Sequence, residues 1–191
     1  MKIKYKIALY YTISAALMLI AFAVLAYYFS AKSRKAEYLE RLEYRARSIA
    51  NVIVEDDRIK IDLLRKLDRT TFQDLYKETI LVYSSDYDLL YSNMKDTAIH
   101  THTSLLNYIR DNKLYSYDKG SDEVVGIYYT EGAVSVIVLV SSFDKYGFQN
   151  LRNLSQILLL ELLTAVVVLV GVVPGGVAGW FAQSEARRDR R

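Results

Sequence analysis

Glu123-Val-Val-Gly-Ile-Tyr-Tyr-Thr-Glu-Gly-Ala-Val-Ser-Val-Ile-Val-Leu-Val-Ser-Ser142 is dense in β-branched and aromatic residues and is broken once, at Glu131-Gly132. Such residues fit a pleated, half-buried surface, and a Gly-containing break between two such runs marks a hairpin. Strands are therefore expected over residues 123–130 and 133–142. The second of these, Val134 to Val140, is apolar almost without interruption. That pattern suits a central strand covered on both faces, so helices are needed around the sheet.

Upstream, Leu114-Tyr-Ser-Tyr117 reads as a further strand, joined to the hairpin by a turn at Lys119-Gly120-Ser121-Asp122. Thr79-Ile-Leu-Val-Tyr-Ser84 and Leu89-Leu-Tyr-Ser92 form a second hairpin through Ser85-Asp86-Tyr87-Asp88. A short helix is expected through Leu105, Leu106, Ile109 and Arg110, with Thr103 or Ser104 as its cap. Residues 61–76 carry a helical pattern in Leu64, Leu67, Phe72 and Leu75. Residues 31–58 read as a continuation of the helix that begins in the preceding apolar run, and in it Leu39, Leu42, Ala46, Ile49 and Ile53 form a heptad seam. That seam either packs within the domain or joins two copies, since two heptads are fewer than the ~3–4 that argue a coiled coil. The expected class is α+β, with a long N-terminal helix and an antiparallel sheet of about five strands.

Both flanks are of another character. Residues 7–31 and residues 162–184 contain no Asp, Glu, Lys, Arg or His. Uncharged runs longer than about 18 residues mark membrane spans. Tyr27, Tyr28 and Phe29 fall at one expected interface, and Trp180 and Phe181 at another. Lys2, Lys4 and Lys6 with Ala21-Phe22-Ala23 also fit a cleaved signal peptide, but the apolar run exceeds the usual ~7–15 residue core of one. Lys2, Lys4 and Lys6 at one end and Arg187, Arg188, Arg190 and Arg191 at the other place both termini in the cytoplasm. The expected organisation is a cytoplasmic start over 1–6, spans over 7–30 and 157–182, an extracytoplasmic domain over 31–153 and a basic cytoplasmic stub over 183–191. Lys32, Arg34 and Lys35, just outside the first span, run against the charge rule locally.

The chain has 191 residues with 8 Gly, 1 Pro and 0 Cys, which excludes collagen-like and disulfide-scaffold classes and a thiolate metal site. Residues 31–152 hold 18 Lys+Arg and 19 Asp+Glu, so the net +3 resides in the termini and no nucleic-acid partner is expected. Catalytic apparatus is missing. No Gly-rich loop opens a helix after a strand, and no Gly-x-Ser-x-Gly elbow occurs. His100 and His102 point the same way if extended and, with Asp96, are the metal-ligand candidates; the alternative is a solvated loop. Glu55-Asp56-Asp57 and the pair Asp86 and Asp88 read as solvated acids. No cofactor is expected. The 17 Tyr suit strands and interfaces. In the second span Gly171, Gly175 and Gly179 share one face, as small-xxx-small helix contacts require, and Pro174 should kink the helix. The alternative is that these residues are merely tolerated there.

The layout resembles the input half of a membrane-bound sensor histidine kinase, over essentially the whole chain. Ser30-Ala-Lys-Ser-Arg34 resembles the exit of that family from the membrane, and Leu81-Val-Tyr-Ser-Ser-Asp-Tyr-Asp-Leu-Leu-Tyr91 its first sensor hairpin. Phe143-Asp-Lys-Tyr-Gly147, Leu151-Arg-Asn-Leu154 and Gly179-Trp-Phe-Ala182 are similar to the approach to and end of its second span. The resemblance implies a PAS-like or Cache-like extracytoplasmic domain in a bacterial inner membrane, a homodimer, and a HAMP-like linker beginning at residue 183. It implies a small-molecule or protein stimulus, received on the sheet face and the loops around residues 91–103 and 115–129. The phosphoacceptor motif and ATP-binding boxes are not among these residues: His100-Thr101 and His102-Thr103 do not match the former. The chain as it stands is expected to be no enzyme, reaching a response regulator only through further cytoplasmic domains. The alternative is a free-standing membrane-anchored interaction or assembly protein.

Overall fold

Alternation of side chains along a strand assigns successive residues to opposite sheet faces, and here both faces are covered. The computed structural model describes residues 3–55, 58–59, 75–94 and 101–188. Helix α1 (Ile3–Ile53) is followed by a short ribbon of β1 (Val54–Glu55) and β2 (Arg58–Ile59). Then come β3 (Thr79–Ser84), β4 (Leu89–Ser92), helix α2 (Thr103–Asn112), β5 (Leu114–Lys119), β6 (Asp122–Glu131), β7 (Val134–Ser142) and helix α3 (Lys145–Arg188). The five later strands form one antiparallel sheet in the order β4-β3-β7-β6-β5. The continuously apolar strand β7 is at its centre. The class is α+β, with a long N-terminal helix.

The chain divides into two compact units, one of residues 33–148 and one of residues 1–32 with 149–191. In the first, Tyr38, Leu42, Ala46, Ile49, Ala50 and Ile53 of α1 pack on one sheet face, against Ile80, Val82, Val125, Ile127, Val136, Val138 and Val140. On the other face, Leu106 and Ile109 of α2 pack with Leu81, Tyr83, Val124, Ile137 and Leu139. The second unit exposes apolar side chains such as Met18 and Val167. Two helices, α1 and α3, are long and apolar enough to cross a membrane.

Several boundaries differ from expectation. Helix α1 ends at Ile53 instead of continuing to residue 58, because Val54 and Glu55 pair with Ile59 and Arg58. The β6–β7 loop is Gly132-Ala133, with Glu131 still paired to Val134. Gly132 and Gly120 each open a two-residue loop at positive φ, 57° and 66°, a backbone that glycine adopts without strain and that type II′ hairpin turns require. Neither Thr103 nor Ser104 caps α2: His102 occupies the N-cap position and no side chain makes the capping bond. The helical pattern expected over residues 61–76 lies, up to residue 74, outside the described residues, as do His100, Asp96, Asp56 and Asp57.

Candidate functional site

The domain concentrates its buried charge where its two long helices meet the sheet. The guanidinium of Arg34, on α1, donates to Asp144 Oδ2 at 2.5 Å and to Glu123 Oε1 at 3.0 Å. All three are nearly enclosed, with side-chain exposures of 14%, 9% and 7% respectively. Asp144 directly precedes α3 and also caps it, its Oδ1 accepting the Gly147 N–H at 2.8 Å, the bond by which an N-cap aspartate satisfies an orphan amide. Position 147 tolerates only glycine in this geometry, because a Cβ there would collide with the Asp144 carboxylate and the Arg34 side chain. One carboxylate thus joins α1 to the first turn of α3. Beside it, the Tyr38 hydroxyl donates to Ser142 Oγ, which donates to the Tyr76 carbonyl, each at 2.9 Å.

Electrostatics in this cluster are divided. Burial acts to lower the Arg34 pKa, but the hydrogen bonds to Asp144 and Glu123 outweigh it, and the guanidinium is held above its ordinary value. Burial raises the Glu123 carboxyl above its ordinary value, against the opposing effect of Arg34. Glu123 Oε2 and Arg34 Nε have no hydrogen-bond partner among the described residues. Burial likewise raises Tyr38. Lys35 pairs with Asp118 at 2.7 Å in an exposed position. The basic residues that violate the charge rule beside the first apolar run are therefore ion-paired at Arg34 and Lys35.

A second candidate surface is the α2 side of the sheet, where tyrosines gather. Tyr115 and Tyr117, two apart on β5, stack at 5.6 Å, and Tyr108 meets Tyr115 edge-on at 4.6 Å. Tyr83 donates its hydroxyl to Thr101 Oγ1 at 2.8 Å. Tyr87, at positive φ in the β3–β4 loop, bonds Asn107 and lies under the Arg110 guanidinium at 5.5 Å. Burial, with smaller repulsion from Tyr115 and Tyr83, raises the Tyr117 pKa. Among the described residues the surface offers aromatic faces, hydroxyls and the Arg110 guanidinium, groups that bind, and no nucleophile paired to a base.

Of the residues singled out from sequence, Leu42, Ala46, Ile49 and Ile53 are buried in the core of their own chain, and Leu39 is partly buried against it. His102 is exposed before α2. Gly171, Pro174, Gly175 and Gly179 lie within α3. Among the described residues, no three His, Cys, Asp or Glu side chains converge as a metal site. Sequence reasoning missed Arg34, Glu123 and Asp144; Asp before Lys145-Tyr-Gly was a readable capping signal, and the basic residues out of place at 34 and 35 were another. Comparison with family models, curated proteins and solved structures finds no match to this chain.

Proposed function

We propose that this chain is the signal-sensing input module of a membrane-bound two-component sensor histidine kinase. In this reading α1 and α3 span the membrane, the domain between them is PAS-like and extracytoplasmic, and both termini are cytoplasmic. The observation that carries the reading is the attachment of both long helices to one sheet. Helix α1 supplies Tyr38 to Ile53 to the core. Strand β7 passes into α3 through Phe143 and Asp144 alone, and Arg34 of α1 holds Asp144. A stimulus on the tyrosine face, small molecule or protein, shifts the two helices only by its differential affinity for two arrangements of the domain. The output lies in cytoplasmic regions beyond these residues, through which alone a response regulator is addressed.

The working form is a homodimer joined through Gly171, Gly175 and Gly179, whose spacing of four permits close backbone approach in lipid. Gly175→Leu is expected to abolish dimer cross-linking in membranes; unchanged cross-linking counts against that seam. The reading as a whole is tested by immunoblotting source-cell membranes with an antibody to residues 33–148. A band far above 22.0 kDa is expected. A band at that mass would overturn it in favour of a membrane-anchored interaction protein.

A further inference from the structure

Around the start of α3 the domain carries a compact set of rings and ammonium groups that the ion-pair cluster does not use. The Tyr76 ring meets Phe143 edge-on at 6.2 Å, and Phe143 stacks on Phe148 at 5.5 Å. Lys145 Nζ and Lys77 Nζ lie 4.7 Å and 5.7 Å from the Tyr76 ring centre. Arg34 lies over the Phe148 ring at 4.2 Å. These groups are open to solvent: Tyr76 is 41%, Phe148 43% and Tyr146 71% exposed.

We propose that Tyr76, Lys77, Lys145, Tyr146 and Phe148 form a docking surface for the anionic headgroups of the bilayer that the two helices span. The inference rests on the membrane reading above and adds a contact to it. Three observations choose this occupant over a protein partner. The first is chemistry: rings with an apolar body, Tyr with a polar tip, and cations beside them are what collects at a membrane–water interface. The second is charge. Among the described residues the nearby acids Asp144 and Glu123 are engaged by Arg34 and Glu78 by Arg45, whereas neither Lys77 nor Lys145 is in an ion pair. Among the described residues the patch therefore presents two ammonium groups with no paired acid. The third is chain continuity. Lys145 to Phe148 form the first turn of α3, and Arg34, which seats Phe148, follows Phe29 by five residues in the sequence. The Tyr76-Lys77 turn is fixed to the same place by the bonds from Ser142 and the Phe143 N–H to the Tyr76 carbonyl.

The cysteine-free chain allows a direct test on the full chain reconstituted in vesicles of phosphatidylcholine, with or without phosphatidylglycerol. Spin labels are placed singly at Tyr146→Cys in the patch, Glu131→Cys at the end of β6, and Met18→Cys in the first apolar run. Access of a water-soluble relaxation agent is then read at each. The label at 146 is expected to lose most of that access in the phosphatidylglycerol vesicles, while the label at 131 keeps it. High salt, and Lys77→Gln with Lys145→Gln, should restore access at 146 without shifting the thermal unfolding midpoint. Equal access at 146 and 131 in both lipid mixtures, with 18 shielded, overturns the docking surface and leaves the membrane reading standing. Free access at 18 as well overturns both. Shielding at 146 by inorganic phosphate alone, in detergent, would overturn the lipid assignment in favour of a simple anion site.

Discussion

Glu123 illustrates how a residue can be paired and still be held unfavourably. It sits 3.0 Å from Arg34, yet burial raises its pKa, and Asp144 shares the same guanidinium. Between the ordinary carboxylate value and the raised one, the folded state binds more protons than the unfolded chain. The contribution of Glu123 to stability is thus fully present below the ordinary value and is lost as pH rises through the raised one. Glu123→Gln should remove that component: the gap in unfolding midpoint between wild type and variant is expected to change across this window and to be constant above it. A constant gap at every pH would show that the carboxyl is not shifted. Asp144 makes a separable pair of contributions. Asp144→Asn keeps an acceptor for the Gly147 amide but loses the charge opposite Arg34, whereas Asp144→Ala loses both. Urea unfolding should place the alanine variant about 1 kcal/mol below the asparagine variant, the usual worth of an N-cap; equal stabilities would remove the cap from the account. The cap at Asp144 left a signal in the sequence, but the ion pairs did not. Residues 34, 123 and 144 are brought together only by the sheet, and linear order records charges without their partners.

Elements were far more legible than residues. β-branched and aromatic content between turn residues placed the strands of the sheet, and the unbroken apolar run placed β7 at its centre. Local chemistry is enough for this, because side-chain periodicity reports directly on which faces are covered. Element ends were read less well. The stop of α1 at Ile53 follows from the β1–β2 pairing, which is not a local property. The packing of α2 was also hidden. Gly126 of β6 lies beneath Ile109, and a Cβ there would stand 2.5 Å from Ile109 Cδ1 and 3.1 Å from Cγ1. Glycine inside a strand costs conformational entropy and marks such a close approach. Gly126→Ala is therefore expected to destabilise the domain by about 1–3 kcal/mol, the usual cost of overpacking. Ile109→Val, which deletes the nearer of those two atoms, should recover much of that loss in the double variant. Strict additivity of the two substitutions in a double-mutant cycle would mean that this contact does not fix the position of α2.

On the scale of the whole molecule, the unresolved tension in the sequence was charge: Lys32, Arg34 and Lys35 stand on the side of the first apolar run that the orientation proposed here puts outside. The fold supplies a reason for two of them, since Arg34 holds Glu123 and Asp144 and Lys35 holds Asp118. Their positions answer to the packing of the domain, so they are poor witnesses to topology. The charge rule is, moreover, weak for long segments, which are translocated largely regardless of charge, and it is carried by basic residues near the ends of short ones. Lys2, Lys4 and Lys6 are such residues, as are the four arginines from 187 to 191. Orientation should accordingly follow the termini. In intact cells, a membrane-impermeant maleimide is expected to label Glu131→Cys and not Lys6→Cys, and to label both once detergent is added. Adding Arg34→Gln and Lys35→Gln should lower the stability of the domain without changing that labelling pattern. The reverse pattern, with Lys6→Cys labelled in intact cells and Glu131→Cys protected, would invert the topology, place the tyrosine face in the cytoplasm and remove the extracytoplasmic sensor on which the proposed function depends.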